Sequence, residues 1–61
     1  MPMISVTMFP GRTEEQKKAL VEEVTAAFVR TCNGQRSDVW VVINEVSRHH
    51  WALGGKLYSE K

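Results

Sequence analysis

Apolar and polar residues alternate over the first stretch of the chain. Ile4, Val6 and Met8 fall on one side, Ser5 and Thr7 on the other. This period of two predicts a half-buried strand over residues 3–9. Pro10 and Gly11 close it with a turn. The period then becomes helical. Leu20, Val24, Ala27, Phe28 and Thr31 share one face, with Lys17, Lys18, Glu22 and Arg30 mostly off it. Thr13-Glu14-Glu15-Gln16 is a capping box, in which a threonine hydroxyl and a glutamine three residues on satisfy each other's backbone amides. The helix is predicted from about Glu14 to Cys32, roughly 28 Å long, with Gly34 as its stop. Val39 to Ile43 is an unbroken β-branched and aromatic run, the pattern of a strand covered on both faces. Strand, long helix and strand make a right-handed β-α-β unit with parallel strands. Ser47 to His50 reads as a turn, Trp51 to Leu53 as a short apolar segment, Gly54-Gly55 as a bend and residues 56–58 as a short edge strand. The fold class is α/β: a single β-α-β unit with a short C-terminal hairpin.

Size changes that picture. Residues 1–61 make one domain, and 43% of them are hydrophobic and 25% charged. A domain this short buries only about 60% of its unfolded surface. Small folds lean on disulfides, metals or partner subunits. Cys32 is the only cysteine, and adjacent His49 and His50 diverge, so neither a disulfide nor a metal site is expected. Association with other chains is the remaining support. Eight basic residues against seven acidic ones leave a net charge of +1, which is no footprint for nucleic acid. No apolar run is long enough for a membrane span. A lone thiol and the lack of a signal-like N-terminus point to the cytoplasm. Cys32 itself reads as a small buried hydrophobe.

Pro2 stands directly behind Met1. A small second residue favours removal of Met1. Pro2 would then carry a free secondary amine, a base with a fixed ring and a fixed lone pair. A proline inside a chain has neither an N–H nor basicity. An α-amino group titrates near 7.7–8.0 (about), and desolvation or a nearby cation lowers that value.

Several separated features now coincide: Pro2 before a strand, Gly11-Arg12-Thr13-Glu14-Glu15-Gln16-Lys17 leading into the helix, Asn44-Glu45-Val46 after a β-branched strand, and Trp51-Ala52-Leu53-Gly54-Gly55 near the end. In order and spacing they resemble the 4-oxalocrotonate tautomerase family, over essentially the whole chain. The resemblance implies the tautomerase fold, with dimers whose strands build one sheet and a homohexamer assembled as a trimer of dimers. It also implies cofactor-free keto–enol isomerisation of a small carboxylate substrate by the N-terminal proline. By the same resemblance Pro2 is the catalytic base, Arg12 binds a substrate carboxylate and Trp51 lines the hydrophobic pocket. One position departs. The well-studied members of that family carry a second arginine in the second strand, which polarises the substrate's 2-keto oxygen; this chain has Trp40 there. Tryptophan offers one N–H donor and a large face, but no charge. Arg36, Arg48, His49 or His50 of a neighbouring subunit are the candidates to replace that charge.

Phe9, Trp40 and Trp51 are expected to supply apolar walls beside Pro2, and Arg12 a cation that keeps its amine unprotonated. Two alternatives remain. One is hydration or dehalogenation of an unsaturated acid, with Pro2 as acid and Glu45 as the carboxylate that activates water. The other is a non-catalytic subunit of a hetero-oligomer, whose missing arginine comes from a partner.

Overall fold

The computed structural model describes residues 1–60. The first strand, β1, spans Met3–Met8, and its burial alternates as its hydropathy does: Ile4, Val6 and Met8 are half-buried, Met3, Ser5 and Thr7 exposed. The single helix, α1, spans Glu14–Cys32. Its capping box is complete. Gln16 N donates to Thr13 Oγ1 at 3.1 Å, and Thr13 N donates to Gln16 Oε1 at 2.9 Å. Glu14 and Glu15 occupy the first turn, where the helix dipole favours acids. Thr13→Ala removes one of these bonds and is expected to cost about 1 kcal/mol, read as a lowered melting temperature at fixed protein concentration.

The helix ends at Cys32, as expected, but through a different residue. The left-handed residue is Asn33, at φ 61° and ψ 42°, rather than Gly34. Asparagine tolerates that conformation because its short polar side chain bonds locally. Gly34 is small for another reason: a Cβ there would lie 3.0 Å from Phe28 Cε1. Two further expectations at this end fail. Thr31 is exposed and turns its hydroxyl back to Ala27 O at 2.7 Å. Cys32 is exposed rather than buried.

A 3-10 turn over Arg36–Asp38 leads into β2, Trp40–Glu45. The two strands are parallel, with Met3 opposite Trp40, Val6 opposite Ile43 and Met8 opposite Glu45. Strand β2 starts later and ends later than its apolar run, since Asn44 and Glu45 pair through their backbones with Thr7 and Met8. A second 3-10 turn, Arg48–His50, is held by Ser47, whose hydroxyl accepts from His49 N at 3.1 Å. The hairpin follows: β3, Ala52–Leu53, pairs antiparallel with β4, Lys56–Leu57. Its bend is Gly54-Gly55, both at positive φ, a conformation glycine adopts without penalty.

One face of the sheet packs toward α1 through Ile4, Val6, Met8, Val41 and Ile43, all half-buried. The other face is open. Met3 is 65% exposed, Trp40 58% and Val42 39%. The open face is graded: Met3, Trp40 and Val42 make its apolar end, Ser5, Thr7 and Asn44 its polar end. Among the described residues none is fully buried. A folded chain of 6.9 kDa exposes about 4000 Å² by the usual scaling, and this one exposes 4930 Å². Its radius of gyration is 14.6 Å, against about 10.5 Å for a compact chain of this length.

Candidate active site

Pro2 is half-buried at the start of β1. Its carbonyl accepts from Trp40 N at 3.0 Å, which extends the parallel ladder by one rung. Met1 precedes it here, so its nitrogen is an amide in this form of the chain. Trp40 lies at the same end of the sheet, beside Met3. Pro2 and Trp40 are therefore backbone neighbours, at the end of the sheet whose open face is apolar.

The other named residues gather at the opposite end. Phe9 follows the last residue of β1 and stacks on Trp51, with ring centroids 4.4 Å apart and planes at 49°. Tyr58 joins on Phe9 at 5.3 Å. Tilted pairs at these distances are favourable beyond the area they bury. The Tyr58 amide donates to Trp51 O at 2.7 Å, tying the chain's end to this cluster. The Arg48 guanidinium lies over the Phe9 ring, its carbon 4.8 Å from the centroid, within cation–π range. Arg12 lies three residues beyond Phe9, exposed, just ahead of the helix N-terminus. The first amides and the dipole there favour anions.

A cavity of about 320 Å³ opens at this end, lined by Thr7, Val46, His50, Trp51 and Ala52. Of the candidate site residues named from sequence, Trp51 and His50 line it. The aromatic partner Tyr58 had not been singled out. Its hint in the sequence is weak, because a tyrosine near the C-terminus carries no period. Glu45 is occupied by an ion pair: Lys17 Nζ lies 2.8 Å from its Oε2, with both side chains about one-third exposed.

The two halves do not meet within one chain. Seven residues of extended strand at about 3.3 Å each separate Pro2 from Phe9 by about 23 Å. Pro2 and Trp40 mark one end, and Phe9, Arg12 and Trp51 the other.

The comparisons agree with the motifs. The family model described as "Tautomerase enzyme" matches residues 2–61. A probable tautomerase of Bacillus cereus is 51% identical over 61 residues, covering 100% of both chains. The 2-hydroxymuconate tautomerase of Bacillus subtilis is 42% identical over 60 residues, covering 98% of this chain and 97% of that one. Among solved structures, a homologue of 4-oxalocrotonate tautomerase superposes with a TM-score of 0.95 at 40% identity, covering 98% of each chain. The chain belongs to the tautomerase family, and its strand-helix-strand subunit is that family's fold. It is an isomerase of the 4-oxalocrotonate tautomerase type.

Proposed function

We propose that Pro2, freed by removal of Met1, is the general base and acid of this isomerase. Its substrate is a small 2-hydroxydienoate or 2-keto carboxylate. The amine takes the proton of the substrate's 2-hydroxyl, and the oxygen lone pair becomes the carbonyl bond. The π electrons shift along the diene, and a distal carbon takes the same proton back from the amine. No electrons are lost or gained, so the reaction asks for placement and proton transfer only.

The observation that carries this reading is the hydrogen bond from Trp40 N to the Pro2 carbonyl. It fixes the first residue of the mature chain on the sheet while leaving the nitrogen unencumbered. Met3 and Trp40 form the apolar end of the open face beside it, and a second copy laid on that face would desolvate the amine, which disfavours its charged form.

Such a site takes more than one copy of the chain. With about 23 Å between its halves, Pro2 of one copy works with Arg12, Phe9 and Trp51 of another whose strands run the opposite way. Arg12 then holds a carboxylate through its planar fork of donors. The excess of about 900 Å² over the expected surface is close to one partner's share of a standard interface. A homohexamer in the cytoplasm is the assembly this reading adopts.

Hydration of an unsaturated acid fits less well. Its water-activating carboxylate would be Glu45, which is engaged by Lys17 and stands at the far end of β2 from Trp40.

The test is the purified chain alone, by intact mass and by ketonisation of a 2-hydroxydienoate. Loss of Met1 together with turnover is expected, and kcat/KM should fall as pH drops through the amine's pKa, because the base must be unprotonated. A retained Met1 in active protein would sink the proline chemistry. Activity that appears only after a different chain is added would make this a hetero-oligomer subunit.

A further inference from the structure

The substrate's 2-oxygen needs a cation while negative charge gathers on it, and Trp40 offers none. We infer that Arg48 is the substrate-binding residue that supplies it. This rests on the isomerase reading above and names the residue that reading leaves open.

Four side chains are candidates by charge: Arg36, Arg48, His49 and His50. Arg36 begins an exposed turn ahead of β2, and no ring or hydrogen bond seats its guanidinium among the described residues. His49 and His50 have ring nitrogens that carry full charge only when protonated, whereas a guanidinium is always charged. Arg48 alone has its charged head seated on a ring of the Phe9–Trp51–Tyr58 cluster. Its turn forms one wall of the cavity, since Val46 and His50, on either side of it in sequence, both line that space.

Stacking uses the face of a guanidinium and leaves its edge open. All five N–H donors lie in the plane, so a guanidinium over Phe9 still presents a fork to a carboxylate or a carbonyl oxygen. No ion pair occupies it among the described residues, where the acid nearest a cation is Glu45 on Lys17. The turn that carries Arg48 is also pinned. Ser47 Oγ accepts from His49 N at 3.1 Å, and Ser47 O accepts from His50 N at 2.9 Å. Arg48 therefore takes the 1-carboxylate and the developing 2-oxygen, while Arg12 takes a carboxylate at the far end of a diacid. The two arginines divide the substrate by position.

That division is the test. Wild type, Arg48→Gln, Arg48→Lys, Arg12→Ala and Pro2→Ala are compared by kcat/KM on a six-carbon 2-hydroxydienedioate and on a five-carbon 2-hydroxydienoate without the far carboxylate. Loss of one charge-assisted hydrogen bond corresponds to about 10- to 100-fold. Arg48→Gln is expected to lose that much on both substrates, with part of it in kcat, and Arg12→Ala on the diacid only. Arg48→Lys keeps a charge and is expected to retain several-fold more activity than Arg48→Gln. A change of less than about two-fold in Arg48→Gln, with Pro2→Ala still impaired, overturns Arg48 and leaves the proline chemistry standing. Equal losses in Arg48→Lys and Arg48→Gln reduce Arg48 to a packing partner of Phe9 and overturn it too. Full activity in Pro2→Ala removes the reading beneath both.

Discussion

Pro2→Ala is expected to lower kcat/KM for enol ketonisation by about 100-fold, and a chain that retains Met1 by more. General acid–base catalysis contributes about 10²- to 10⁴-fold where it operates. Alanine leaves a primary amine at the same place, so part of the effect survives. A retained Met1 turns the nitrogen into an amide with no basic lone pair, and nothing of it survives. The structure separates this loss from misfolding. What holds the second residue is its carbonyl, which accepts from Trp40 N at 3.0 Å, and alanine keeps that carbonyl. Circular dichroism and sedimentation of Pro2→Ala should therefore match wild type. Ketonisation by Pro2→Ala at the wild-type rate would remove proline from the chemistry.

The second large effect concerns the open sheet face. Val42→Glu sets a carboxylate among Met3, Trp40 and Val42, the apolar end of that face. The proposed assembly covers this surface, and an unpaired buried charge costs several kcal/mol. Each ~1.4 kcal/mol is tenfold in association, so the assembly should weaken by about 100-fold or more. Sedimentation at micromolar concentration is expected to show smaller species, and turnover should fall with them if, as proposed, each site draws on two copies. Val42→Thr, nearly the same shape, is the control and should assemble. A Val42→Glu protein that sediments like wild type would mean that the face stays open to water.

Much of the fold could be read along the chain, and the exceptions have identifiable causes. The helix bounds Glu14 and Cys32 follow from the capping box and the loss of period after Thr31. The alternation in β1 was legible because one face alone is covered. The end of β2 was not, since Asn44 and Glu45 are polar and are held by their backbone pairing with β1. The unbroken run in β2 announced cover on two faces; a single copy supplies one, through α1. The stop at Asn33 was misplaced onto Gly34 because both residues can leave a helix, and only the contact with Phe28 distinguishes them. At the site, Phe9, Arg12 and Trp51 were named from motif order, and they do gather at one end of the subunit. Their distance from Pro2 was hidden, because a motif fixes separation along the chain and not distance in space. Tyr58 and Arg48 were missed as neighbours of Phe9, since contacts across the hairpin and over the turn leave no local period.

The absence of any fully buried side chain among the described residues has a consequence for how the protein behaves in solution. If cohesion comes from other copies, folding and assembly share one equilibrium, and the melting temperature depends on protein concentration. Dilution then acts as a denaturant. Specific activity should drop once the chain is diluted below the dissociation constant of its assembly and return on reconcentration, so turnover per subunit measures how much of the chain the solution contains.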